Sequence, residues 1–151
     1  MKKTLTGETS ITINATAKQV WEALTTPSII KQYFFGTDAI SDWKVGSPII
    51  FKGEWQGKSY EDKGHIIEMI PDKLFRYSYW SSMSGNEDKP ENYVTVTYTL
   101  YEQRNGTLLT ITQEDIPDEK TKAHSEENWN KVIFDLKNLL EKKKVMETAH
   151  V

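Results

Sequence analysis

The feature that most restricts this chain is one long helical pattern placed after a run of strands. In "ENWNKVIFDLKNLL", which begins at Glu127, Trp129, Val132, Ile133, Leu136, Leu139 and Leu140 recur at helical spacing. They form one apolar stripe. Asn130, Lys131, Asp135, Lys137, Asn138 and Glu141 occupy the opposite stripe and are expected to face water. The apolar stripe needs a partner, and the only partner upstream is a sheet.

That sheet is legible segment by segment. "ETSITINA" alternates Thr9, Ile11 and Ile13 with Ser10, Thr12 and Asn14, giving a first strand. Thr16-Ala17-Lys18-Gln19 has the form of a capping box and opens a short helix carrying Val20, Trp21 and Leu24. Thr26-Pro27 starts a second short helix through Ile29, Ile30 and Tyr33, which stops near Gly36. From Trp43 the period becomes two, with Ile49, Phe51 and Trp55 opposed to Ile50, Lys52 and Glu54. Gln56-Gly57 and Pro71-Asp72-Lys73 turn the chain before and after "KSYEDKGHIIEMI", and "LFRYSYW" follows.

The polar stretch "SSMSGNEDKPEN", residues 81–92, reads as a loop, expected to be mobile and to lie near one end of any cavity. "YVTVTYTLY" sets Val94, Val96, Tyr98 and Leu100 against Thr95, Thr97 and Thr99. Asn105-Gly106 signals a hairpin into "TLLTITQED". Asp118 and Ser125 are both able to cap the final helix, which from Lys120 to Lys143 spans roughly 36 Å at ~1.5 Å per residue. "VMETAHV" has no pattern and is expected to be a frayed tail over 144–151, with the core of a single domain 1–151 running from about 8 to 143.

The order is therefore β-α-α, about five antiparallel strands, and one long helix. No βαβ repeat exists, which argues against a doubly wound parallel sheet. An α+β fold is expected, with a curved antiparallel sheet covered by the last helix and the two short helices closing one end.

Composition removes several functions. With 151 residues the chain suits one domain, and a net charge of -3 does not favour binding driven by phosphate neutralisation, so no nucleic-acid partner is expected. Cysteine is absent, which excludes thiolate chemistry and disulfides. No apolar leader and no run approaching the ~18 apolar residues of a membrane span is present, so a cytoplasmic location without a membrane span is expected. The aromatic content stands out: five Trp, seven Tyr and five Phe.

Four stretches, in order, resemble a known family: "ITINATAKQVWEALTTPSIIKQYF", "KGHIIEMIPDKLFRYSYW", "NGTLLTITQE" and "ENWNKVIFDLKNLLE". Together they are similar to the START-like (SRPBCC, Bet v 1-like) superfamily, in the branch related to the C-terminal domain of the activator of heat-shock protein 90 ATPase. The resemblance covers roughly Ser10 to Glu141. Asn128 stands where that pattern often has Gly, while the following Trp is kept at Trp129. The resemblance implies a helix-grip fold with an apolar cavity between the sheet and the C-terminal helix. It also implies a hydrophobic small molecule or lipid as partner, or a chaperone, and no cofactor. The family shares no catalytic residues.

Chemical signals in the residues are weak. His65, His124 and His150 have no metal-ligand spacing, and no nucleophile motif or phosphate-binding glycine loop occurs. Asp62, Glu68 and Glu114 lie in or beside strands, where solvent exposure is the expected state. Glu68 ranks first for burial because period two puts it on a face with Ile66 and Ile70, and Arg76 is expected to be a surface cation.

The aromatic residues are the better signal. Trp21, Phe51, Trp55, Tyr77, Tyr79, Tyr98, Trp129 and Ile133 are the expected ligand-contacting set. Apolar walls with a few polar tips are what small-molecule pockets look like. Gly53 and Gly64, which supply no packing volume, lead to the expectation of a cavity of roughly a few hundred Å³. Three functions follow in order: a carrier or sensor of an apolar molecule, a cavity enzyme such as a cyclase or hydrolase, and a co-chaperone-like interaction domain. The second lacks a catalytic set. The third is expected to be less favoured, because the eukaryotic co-chaperone relies on an additional N-terminal domain.

Overall fold

The structure is a computed structural model that describes residues 5–82 and 85–149, without the side chains of Trp55 and 143–149. Along the chain run β1 (Leu5–Ile13), α1 (Ala17–Thr25), α2 (Pro27–Tyr33), β2 (Asp38–Ser41), β3 (Pro48–Trp55) and β4 (Lys58–Ile70). They are followed by β5 (Leu74–Tyr79), a 3-10 turn at Pro90–Asn92, β6 (Val94–Gln103), β7 (Gly106–Ile116) and α3 (Glu119–Ala149). The seven strands form one sheet in the order β1-β7-β6-β5-β4-β3-β2. Every pairing is antiparallel.

Local chemistry explains the element ends. Thr16 and Gln19 complete the capping box of α1 in both directions. Asp118 caps α3 by accepting from Thr121 N–H at 2.7 Å, while Ser125 lies inside the helix. The helix has 31 residues, about 46 Å at ~1.5 Å each, and continues through the expected tail to Ala149. Of that tail, residues 150 and 151 lie outside the described residues. The β6–β7 connection is Arg104-Asn105, with Gly106 already paired to Gln103. The short edge strand β2, with buried Ala39 and exposed Ile40, has too few residues for period two to reveal it.

The curvature arises in β4. Its first part pairs with β3 and its second with β5. At the changeover, Gly64 lets the chain approach Ser78 so closely that a Cβ there would stand 1.6 Å from the Ser78 carbonyl oxygen. A bulge between Ile66 and Glu68 follows, which shifts the inward register by one residue. Ile66 is therefore buried, whereas Glu68 faces out with exposed Ile70 and pairs with Arg76 at 3.2 Å. Simple alternation had placed Glu68 on the face of Ile66, and the bulge overturns that.

Helix α3 packs chiefly on β1 and also contacts α2, β7 and α1. Trp129, Val132, Ile133 and Leu136 are all buried, as the apolar stripe requires. The polar stripe departs from expectation. Lys137 donates to the Thr12 carbonyl at 2.9 Å, Glu141 accepts from Asn14 N–H at 2.9 Å, and Glu126, just before the stripe, accepts from Glu8 N–H at 2.9 Å. Asn130 accepts from the Thr9 hydroxyl. Part of the stripe expected in water instead satisfies the free edge of β1, where unpaired backbone groups would otherwise template another strand.

Candidate functional site

Strand alternation brings Phe51 from β3, Tyr77 from β5 and Tyr98 from β6 to the concave side of the sheet. They meet residues from outside it. Phe34, the C-terminal cap of α2, stacks on Phe51 with ring centroids 5.7 Å apart and planes at 16°. The same ring meets Trp129 of α3 edge-on at 5.9 Å. Trp43, in the β2–β3 turn, meets Phe75 edge-on at 6.1 Å. Each such pair adds about 0.5–1.5 kcal/mol beyond its buried area.

Among these rings lies a void lined by Leu24, Ile30, Tyr33, Phe34, Trp43, Ile49, Phe51, Phe75, Tyr77 and Tyr98, with a volume of about 10 Å³. That is roughly the space of one water molecule. The expected cavity of a few hundred Å³ is thus not open in this structure. The physical reason lies in the glycines and in α2. The space above Gly53 is taken by Tyr60, whose hydroxyl would sit 2.4 Å from an added Cβ, and the space at Gly64 by the Ser78 backbone. Phe34, Tyr33 and Trp43 fill the remainder.

The expected contact residues divide accordingly. Phe51, Tyr77 and Tyr98 line the void. Trp129 and Ile133 are buried in the same core, with Trp129 touching Phe34 and Tyr98 rather than the void. Tyr79 packs on Phe51 and Tyr77. Trp21 lies behind Phe75, at 6.1 Å, away from the void. The Trp55 side chain lies outside the described residues. The lining residues outside the expected set are Leu24, Ile30 and Ile49 and the aromatic Tyr33, Phe34, Trp43 and Phe75. Among the aromatic ones, "YFFG", a run at a helix stop, contains two, Tyr33 and Phe34.

The polar tips are the unusual part. Tyr33 donates to the Ala23 carbonyl at 2.8 Å, and Tyr79 donates to Asp62 at 2.6 Å. The Tyr77 and Tyr98 hydroxyls bond to each other at 2.6 Å. Burial holds the Tyr33, Tyr77, Tyr79 and Tyr98 phenols well above their ordinary titration range, so all remain neutral O–H donors. A phenol has one proton to donate, so a pair joined by a single bond leaves one O–H unused. Among the described residues the Tyr77–Tyr98 pair has no further hydrogen-bond partner.

Asp62, not Glu68, is the inward carboxylate. It is 7% exposed, accepts from Tyr79 and from Ser82 N–H at 3.1 Å, and anchors the start of the 81–92 loop. The same loop is tied to β4 by Asp88, which pairs with Lys63 at 2.6 Å. Residues 83 and 84 of that loop lie outside the described residues. Among the described residues, no group of three or more His, Cys, Asp or Glu is placed to hold a metal ion. No described helix is long and apolar enough to cross a membrane.

The family profile described as Activator of Hsp90 ATPase homolog 1-like protein matches residues 14–141. The chain belongs to this family. The fold is accordingly of the START/SRPBCC type, similar to that of Aha1. The solution structure of ChR145 from Cytophaga hutchinsonii is 46% identical, with a TM-score of 0.80 over 93% of this chain and 97% of that one. The Aha1 dimer from Colwellia psychrerythraea, 21% identical, has a TM-score of 0.72 over 91% and 97%. CalU16 from Micromonospora echinospora, 19% identical, has a TM-score of 0.70 over 91% and 83%, and at such identities the likeness is one of fold. No curated protein matches the chain.

Proposed function

We propose that this member of the family binds a small apolar molecule, flat and aromatic, in the space beneath α3. The observation that carries this reading is the Tyr77–Tyr98 hydroxyl pair, buried among apolar rings with one O–H left over beside a void. A core built only for stability gains nothing from such a group. Burying a hydroxyl without full compensation costs about 1–3 kcal/mol, and phenylalanine would fill the same space. An unused donor inside apolar walls is instead the polar tip that orients a ligand in a pocket. The void holds no more than about one water, so binding requires a ring to move.

Titration with neutral aromatic molecules tests this by NMR. Expected are saturable shifts at Phe51, Tyr77 and Tyr98, and weaker binding in Tyr98→Phe for ligands carrying a hydrogen-bond acceptor. Shifts confined to the convex surface of the sheet would defeat the proposal.

A second reading has its own support. The family is described by activation of the Hsp90 ATPase, and the filled interior suits a module that works through its surface. A change in the ATPase rate of an Hsp90-type chaperone on adding this protein, without any small ligand, would favour it.

A further inference from the structure

The void is closed by a residue with unusual support. Phe34 is half-buried and packs against the edge of the aromatic core, where it bridges Phe51 and Trp129. It stacks in parallel on Phe51 and lies under the edge of Trp129, with Tyr33 and Phe35 edge-on at 6.5 and 5.9 Å. It belongs to neither a strand nor the body of a helix. Directly after it, Phe35 has φ 55 and Gly36 has φ 71. An L-residue pays roughly 1–2 kcal/mol for the left-handed conformation, and a bulky aromatic residue rarely adopts it. The Phe35 ring stays 37% exposed, with Lys131 5.4 Å above it. The chain thus carries backbone strain at the point that inserts Phe34, as it also does at Trp43 (φ 58), another residue lining the void.

We propose that Phe34 is an internal stand-in for the ligand, and that rotation about the left-handed pair Phe35–Gly36 withdraws it. This inference rests on the small-molecule reading above and specifies its occupant. A molecule that replaces Phe34 carries one flat ring system to stack on Phe51 under Trp129. It also carries one acceptor oxygen for the spare O–H of the Tyr77–Tyr98 pair. The closed form is the resting state, and the ligand selects the open one. The apparent affinity is then the intrinsic affinity multiplied by the open fraction.

Glycine 36 supplies a clean test, because an added Cβ there meets nothing within 4 Å and penalises the closed form only through φ. Gly57, in the β3–β4 turn, has φ 80 and equally open space, so Gly57→Ala is a control with the same backbone penalty far from the hinge. The probe is 2-naphthol, neutral and flat with one oxygen, followed by isothermal titration and by NOEs to Phe51 and Tyr98. If strain sets the open fraction, Gly36→Ala binds about 5- to 30-fold more tightly than wild type, while Gly57→Ala stays within about twofold. Phe34→Ala binds at least about tenfold more tightly, and Phe34→Leu, which keeps apolar bulk without the ring, falls between.

Equal affinities in Gly36→Ala and Gly57→Ala would overturn the hinge. Binding to wild type that Phe34→Ala leaves unchanged would overturn the stand-in, while the small-molecule reading stands. Absence of naphthol binding in wild type, Phe34→Ala and Phe34→Leu alike would overturn this inference together with that reading.

Discussion

The two flanks of α3 are held by different physics. Toward β1 and β7 the helix is stitched by directional polar contacts. Glu126 and Glu141 accept from backbone N–H groups of β1 and the turn after it, and Lys137 donates to a β1 carbonyl. Ser125 and the Trp129 indole both donate to the inward-facing Gln113, at 2.8 and 2.9 Å. Toward α2 and the middle of the sheet the contacts at Trp129 are rings, namely Phe34, itself stacked on Phe51 of β3, and Tyr98 of β6. Hydrogen bonds weaken steeply with angle and distance, so the first flank has one register. Ring contacts are broad in geometry and tolerate exchange of one ring for another. The helix is therefore fixed along one side and adaptable along the other, as the proposed displacement of Phe34 requires.

The largest effect should come from the residue that joins both flanks. Trp129→Ala removes a buried indole from the ring cluster and a donor from Gln113, and is expected to cost about 3–5 kcal/mol in denaturant unfolding. A loss under about 1 kcal/mol would mean that α3 is not held as described. The ring flank itself can be graded. Phe75, 1% exposed, is part of the fixed wall, so Phe75→Ala should cost about 3–5 kcal/mol. Phe34→Ala, at a half-buried site, should cost about 1–2 kcal/mol. Equal losses would erase the distinction between wall and plug.

The polar flank should respond less in stability and more in association. Glu126→Ala should cost about 0.5–1.5 kcal/mol, because the Glu8 N–H it leaves is close to solvent. Combined with Asn130→Ala and Glu141→Ala, it uncovers the β1 edge, and sedimentation should then reveal stronger concentration-dependent self-association than in the wild type. A triple variant that associates no more than the wild type would remove the edge-guarding role.

The smallest effect concerns the start of α3. The Asp118 carboxyl is held below its usual range, chiefly by the Thr121 N–H it accepts from. A lowered folded value means that the stabilisation is fully present above the unfolded carboxyl value, near 3.9, and is lost as pH falls through the folded one. The difference in thermal midpoint between wild type and Asp118→Asn should accordingly be constant near neutrality and shrink below about pH 4. A pH-independent difference would assign the cap to neutral hydrogen bonding alone.

Much of this protein is written in short-range pattern. The capping box at Thr16, the Pro27 start of α2, the turns at Gln56-Gly57 and Pro71–Lys73 and the apolar stripe of α3 each depend on a few neighbouring residues. Those residues act alike in any fold, so they are readable one segment at a time. Convergence of Phe51, Tyr77 and Tyr98 is of the same kind, since strand alternation sets which side each faces. What filled the space between them was decided elsewhere. The β4 bulge moved Glu68 outward, Tyr60 folded over Gly53, and Phe34 entered from a helix end through a left-handed backbone. Nothing periodic marks such residues, because their positions follow from which volumes remain once the sheet has curved. Whether walls enclose a pocket or a solid core is a property of that remainder. Sequence pattern assigns side chains to faces; only the tertiary packing determines the distance between the faces.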